Sequence, residues 1–247
     1  MNDTVELFGI PILNSTRTQA VEKIDKLFKH KQQTKIAFAN ANLINICHNK
    51  PSLKYELNNF LLLNDGTGLD IAKKINYGSA FLENLNGTDF IPFYLEATDY
   101  KLRIFLYGAS ETSVEKTKEF INSKYAEKHI IVGQIHGYTN KTDSDIVNEI
   151  NHVSPDLILV ALGNPIQETW IARNLEKTNA TLAFGVGALF DFMSGETNRA
   201  PEVLRKIKSE WIYRLYKEPR RLFKRYIIGN PLFIYRAISE KYQKATK

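Results

Sequence analysis

Short apolar runs alternate with longer amphipathic segments along most of the chain. TKIAFAN (34–40), FLLLND (60–65), LRIFLYG (102–108), HIIVGQI (129–135), DLILVAL (156–162) and TLAFGV (181–186) read as strands. Each precedes a segment with helical character: NLINICHNKPSLKYEL, GLDIAKKI, SVEKTKEFINSKYA, DSDIVNEINHV, IQETWIARNLEK and FDFMSG. Several of the strands are apolar throughout rather than at every second position. That is the pattern of strands covered on both faces, and it predicts a mainly parallel, Rossmann-like α/β sheet flanked by helices. No repeat or low-complexity tract interrupts it.

Ligands of such sheets bind beyond the carboxyl ends of the strands. The residues expected there are Asn40 and Asn42, Asp65-Gly66-Thr67-Gly68, Gly108 in YGAS, Gly163 with Gln167 and Glu168, and Gly187. Glycine lets backbone approach a ligand and helix N-termini attract phosphate, so the set favours a phosphorylated ligand. Asp65, at a strand end before Gly-Thr-Gly, is the candidate general base; the competing reading makes it an N-cap for the next helix. Asp89 in GTDF fits a helix start capped by Thr88 or by itself. Asp191, between two phenylalanines, should bond a ligand or backbone N–H groups. Asp143-Ser144-Asp145 resembles a metal-binding DxD, yet Thr142 before it fits a helix cap with acids complementing the dipole.

Charge divides the chain. Residues 199–247 hold 14 Lys and Arg against four acids, so the tail is +10 and the body −4 of the net +6. This predicts a body at 1–198 and a basic helical appendage at 199–247 that meets an anionic partner. Trp211, Leu215 and Leu222 recur near helical spacing, as do Arg214, Arg221 and Arg225, with Arg220 beside them and Pro219 breaking the helix between. Aromatics beside basic residues suit a membrane interface with anionic headgroups; a helix packed on the body with a basic outer face is the alternative. No apolar run reaches membrane-spanning length, and no secretory signal is evident. The single Cys47 excludes an internal disulfide and reads as a core residue. There is no GxGxxG after the first strand, no P-loop, no GxSxG and no metal-ligand spacing, which disfavours nicotinamide, P-loop, serine-hydrolase and zinc chemistry.

In order along the chain stand NDGTG (64–68), GTDF (87–90), FLYGAS (105–110), HGY (136–138), PDLILVALGNPIQE (155–168), FGVGALFDFMSG (184–195), NRAP (198–201) and EWIYRLYKEPRR (210–221). Together they resemble the WecG/TagA/CpsF glycosyltransferases, glycosyltransferase family 26, over almost the whole chain. The resemblance implies a cytoplasmic enzyme at the inner membrane face. It would move a sugar, N-acetylmannosamine or a related uronate or hexose, from a UDP donor to an undecaprenyl-diphosphate-linked N-acetylglucosamine. Asp65 would be the base, and Gln167, Asp191 and Tyr138 crevice residues. The tail arginines Arg214, Arg220, Arg221 and Arg225 would meet the lipid diphosphate. No essential metal or other cofactor is expected. Nucleic acid is not an expected partner, and self-association is left open. One departure stands out: where the family commonly has Thr-x-Asn, this chain reads Asn40-Ala41-Asn42. The alternative of another class is a nucleotide-sugar-binding regulatory module whose basic tail meets nucleic acid or membrane.

Overall fold

The computed structural model describes residues 3–197 and 210–245, with Pro201 and Leu204 between them. The expected boundary at 198/199, the residues Asn198–Ala200 of the NRAP motif and the side chain of Arg221 lie outside the described residues. Eight strands form one sheet in the order β1-β2-β4-β3-β8-β7-β5-β6. β3 (Thr34–Ala39), β4 (Phe60–Asn64), β5 (Leu102–Gly108), β6 (His129–Ile135), β7 (Leu157–Ala161) and β8 (Leu182–Gly185) are the six runs read from the sequence, and all pair in parallel.

Side chains alternate between the two faces, which is why these strands read as continuous apolar runs. Ala37, Ala39, Phe105, Tyr107, Ile158 and Val160 enter one core with α2 (Ala41–Asn49), α3 (Pro51–Leu57), α4 (Thr67–Tyr77), α7 (Asp143–Val153) and α8 (Ile166–Asn174). Ile36, Phe38, Ile104, Leu106, Leu157 and Leu159 enter the other with α1 (Arg17–Lys29), α5 (Gly87–Ala97), α6 (Glu111–Tyr125) and α9 (Leu189–Met193). The chain therefore leaves β3 for one face and leaves its neighbour β8 for the other. That divergence opens a crevice at the carboxyl ends, the switch point where such sheets bind ligands.

Two features are absent from the sequence pattern. β1 (Thr4–Leu7) and β2 (Ile10–Leu13) form an antiparallel hairpin, and β2 joins the sheet in parallel beside β4 through Leu13 and Leu63. Both central turn residues, Phe8 and Gly9, have positive φ, the geometry of a tight hairpin turn. Strands this short, one containing Pro11, give too little alternation to be read. The second feature is the seat of the last helix, whose helical character was expected but whose place in the core was not. After α10 (Glu210–Lys217), a new helix starts with Pro219 as α11 (Pro219–Phe223), so proline breaks the helix where expected. A π-helical turn at Lys224–Ile228 leads into α12 (Gly229–Ala245). α12 packs on α2 and α4, and Phe233 and Ala237 are fully buried in the body's own core. Phe233 meets the Phe8 ring at 5.2 Å, and the Phe8 N–H donates to Glu240 Oε1 at 2.9 Å, so the helix also clamps the hairpin turn.

Candidate active site

Asp65 follows β4 directly, and its N–H donates to the Ala39 carbonyl at 2.7 Å, tying it to the end of β3. It does not cap α4: Gly66 holds the N-cap position and no side chain bonds there. Gly66 has φ of 89° and open space where a Cβ would stand, so the turn leaves the carboxylate at the crevice rather than folding it onto the helix. Asn40 uses both ends of its amide. Oδ1 accepts from the Leu43 N–H at 3.0 Å and caps α2, while Nδ2 donates to Asp65 Oδ2 at 3.4 Å. An amide can do both, which a hydroxyl in the same place would do only by sharing one oxygen.

Part of the Asp65 surface remains open, but its carboxyl is closely surrounded. Burial pushes its pKa above the ordinary carboxylate value. The guanidiniums of Arg214 and Arg225 oppose that rise, as does the Asn40 hydrogen bond, and nearby Asp89 reinforces it. Thus two of the tail arginines act electrostatically on the candidate base. Arg214 also lies over the Phe192 ring at 4.9 Å, and Arg225 over Tyr226 at 5.4 Å. Arg220 is exposed.

Across β3 lie the glycine loops after β7 and β8. Gln167, 2% exposed, joins them: its Oε1 accepts from the Gly163 N–H at 3.1 Å and the Gly187 N–H at 2.9 Å. Gln167 is therefore a clasp that shapes the crevice floor. Gly185 admits it, since a Cβ there would come within 2.9 Å of the Gln167 amide. Glu168 is fully buried, and its Oε1 accepts from Gln167 Nε2 at 2.8 Å and Asn164 Nδ2 at 2.6 Å. Burial raises its pKa to about 7 against those hydrogen bonds, and Oε2 has no partner. Gly163 and Gly187 leave open space toward the crevice, and Gly68 approaches Ala41 and Phe233 closely.

The Asp191 carboxylate meets Ser113 on α6, whose hydroxyl lies 3.0 Å from Asp191 Oδ1 and 2.6 Å from Glu196 Oε2 and shares its one hydrogen between the two carboxylates. Asn42 is half-buried in the first turn of α2, beside Asn40. Gly108 lies against the Ala161 backbone, the next loop outward along the sheet. Tyr138 is 81% exposed beyond β6, at the sheet edge five strand positions from β4, roughly 24 Å at ordinary strand spacing. The crevice thus brings together Asp65, Asn40, Gly66, Arg214 and Arg225, then the Gln167 clasp, and leaves Tyr138 apart.

Asp143 and Asp145 are committed to folding. Thr142 caps α7, Asp145 returns the bond to the Thr142 N–H at 3.0 Å, and Asp143 accepts from Asn174 at 3.2 Å. The α5 start differs from expectation: Asn86 is its cap, accepting from the Asp89 N–H at 3.1 Å and donating to the Asp89 carboxylate at 2.9 Å. Cys47 is buried and burial pushes its thiol up to about 12, as befits a core residue. Sequence reading missed Asn84, whose Oδ1 accepts from the Gly66 N–H at 3.0 Å, and Ser113. Asn84 stands only three residues before the GTDF motif, but nothing local marks its partner.

The profile of the glycosyl transferase WecG/TagA/CpsF family matches residues 5–247. Among curated relatives, proteins of Staphylococcus aureus strains MW2 and NCTC 8325 / PS 47 are each 27% identical over 241 residues, 96% of this chain and 93% of theirs. Another from strain MRSA252 is 26% identical over the same coverage. All three are named N-acetylglucosaminyldiphosphoundecaprenol N-acetyl-beta-D-mannosaminyltransferase.

Proposed function

The chain belongs to the WecG/TagA/CpsF glycosyl transferase family, and from that premise we propose that it transfers a sugar from a UDP donor to a polyprenyl-diphosphate-linked N-acetylglucosamine. N-acetylmannosamine is the donor sugar this reading favours, because the relatives' names carry it. The observation that carries the mechanism is Asp65: a carboxyl at a strand end, raised by burial and held by Asn40, with Arg214 and Arg225 acting on it. Asp65 takes the proton from the acceptor hydroxyl as the oxygen attacks the anomeric carbon, in a single displacement that inverts configuration. A carboxylate with a raised pKa is the stronger base, and the arginines oppose that rise.

The departing diphosphate gathers negative charge. N–H groups of the loops clasped by Gln167 and the tail guanidiniums supply the compensating field, since arginine grips diphosphate oxygens in a bidentate way. In this reading no metal is required, and transfer survives EDTA; loss on chelation with recovery on Mn²⁺ would overturn it. Asp65→Asn keeps shape and removes the base. Turnover on a short-chain acceptor should fall about 10²- to 10⁴-fold with UDP binding retained; near-normal turnover would sink the assignment.

The same reading puts the enzyme at the inner face of the cell membrane. Among the described residues no helix is long and apolar enough to cross a bilayer. Instead Ile212, Tyr216, Phe223, Ile227, Ile228 and Tyr235 are exposed on the tail. Trp211, Tyr226, Ile227, Pro231, Ile234 and Ile238 line an apolar groove of about 630 Å³ beside them. Apolar and aromatic groups amid Lys217, Arg220, Lys224 and Arg225 form an interfacial surface for anionic headgroups rather than a groove reader of nucleic acid.

A further inference from the structure

The glycine loops at the carboxyl ends of β7 and β8 have little of their own to hold them. Gly163 and Gly187 have φ of 76° and 57°, with open space where a Cβ would stand. Glycine has more conformational freedom to lose than any other residue, so such loops need an outside restraint. Among the described residues, the last backbone bond between the two strands at this end runs from the Val186 N–H to the Val160 carbonyl at 2.8 Å. Past that bond, Gln167 Oε1 joins the loops by accepting from the Gly163 and Gly187 N–H groups. A glutamine side chain is flexible, and its amide has the same outline either way round. What fixes this one is its other end, where Nε2 donates to Glu168 Oε1 at 2.8 Å. Turned over, the amide would set its NH₂ against two N–H donors and its oxygen against a carboxyl.

Glu168 is poorly suited to packing alone. It is fully buried, its Oε2 meets no partner, and the bonds its Oε1 accepts come from neutral amides. A carboxyl buried with one oxygen orphaned costs stability. The first turn of α8 favours an acid through the helix dipole, but an exposed acid would serve that equally. What burial achieves is contact. Oε1 gathers the Gln167 amide from the helix and, at 2.6 Å, the Asn164 Nδ2 from the loop after β7. One atom thus holds the loop after β7 directly and the loop after β8 by way of Gln167. Breaches of packing rules of this kind collect at functional sites.

We infer that Glu168 is a positioning residue for the donor: it holds the Gln167 amide so that both glycine loops keep the spacing that receives a nucleoside diphosphate. The inference rests on the crevice taking the UDP of the proposed donor. The test uses the full-length chain labelled with ¹⁵N-glycine, read by N–H exchange, and calorimetric titration with UDP. Glu168→Met cannot accept a hydrogen bond. The Gly163 and Gly187 N–H groups should exchange about tenfold or more faster, while Gly185, inside the β8 ladder, keeps its rate. UDP should bind about tenfold or more weaker. Glu168→Gln presents an oxygen to the same two donors and should restore both readings to within about threefold. In a Gln167→Ala background, Glu168→Met should weaken UDP no further, because its effect passes through Gln167. A merely structural Glu168 would add its own loss. Unchanged exchange in Glu168→Met, failure of Glu168→Gln to restore it, or additive losses in the double variant overturns the inference. If the methionine variant does not fold, the glutamine variant decides: lost protection or lost UDP in a folded Glu168→Gln overturns the inference, and retention of both supports it. A wild-type chain that binds no UDP sinks the donor reading instead, and the exchange rates then decide the role of Glu168.

Discussion

Asn40 does two jobs with one amide, and the two can be separated. Asn40→Ser keeps an N-cap oxygen for Leu43, but its shorter side chain draws the donor, already at 3.4 Å, out of reach of Asp65. That hydrogen bond lowers the Asp65 pKa, so removing it raises the pKa further and moves the acidic limb of the kcat/KM profile to higher pH. Melting should change by a few tenths of a kcal/mol; a profile that stays in place would detach Asn40 from the base. Glu168 makes a thermodynamic prediction instead. Its folded pKa of about 7 lies above the ordinary 4.5, so the folded state holds a proton that the unfolded chain releases between those values. Its contribution to stability therefore falls as pH rises through that window, by on the order of 3 kcal/mol at most. Glu168→Gln, a neutral isostere able to keep the Oε1 bonds, should flatten the decline in urea-denaturation stability between pH 4.5 and about 7. An identical slope in both proteins would show that Glu168 ionises freely. At this scale the residue types were legible and their partners were not. The sequence marks Asp65 by its strand-end setting, but that Asn40 touches it while Asp191 bonds Ser113 depends on contacts between residues far apart in the chain.

Helix and strand signals act over a few residues, and so the elements were legible. Continuous apolar runs became β3 to β8 because both sheet faces are covered, and Pro219 restarted a helix because its φ suits the first turn and it lacks an N–H to continue one. The Asp143-Ser144-Asp145 stretch illustrates how a local rule discriminates. Thr142 and Asp145 exchange bonds as a capping box, so the acids serve the helix. Thr142→Ala should cost about 1 kcal/mol of stability and leave transfer rates unchanged; a large activity loss at full stability would revive a catalytic role. Where local signals were ambiguous the reading slipped by a residue or two. The α5 cap is Asn86, whose side chain reaches the Asp89 N–H, because a cap must precede the first helical residue and Thr88 and Asp89 already lie inside. The β1–β2 hairpin went unread since four-residue strands carry little periodicity.

At the scale of the whole molecule, the charge split suggested a tail set apart from the body, and α12 qualifies that picture. Phe233 fills the shared core between Phe8 and Gly68, and Arg236 Nη1 donates to Asn45 Oδ1 at 2.7 Å. Removing everything after Pro201 would therefore strip core contacts from α2 and α4 rather than free an intact body. Phe233→Ala should cost about 3–5 kcal/mol in denaturant titration. By contrast, the exposed Ile227, Ile228 and Tyr235 can be changed to serine together with little effect on melting, while co-sedimentation with anionic liposomes should drop severalfold. Retained liposome binding in that triple variant would remove the membrane from the proposed function. What the sequence by itself determined are the properties written in local patterns: strand and helix identity, caps, the charge division and the family motifs in their order. Tertiary structure alone decided which of those residues meet. The divergence of β3 and β8, the seating of α12 and the bond from the Gly66 N–H to Asn84 set Asp65 beside Asn40 at the crevice, within the field of Arg214 and Arg225, because burial of two core faces fixes positions that no short stretch of chain encodes.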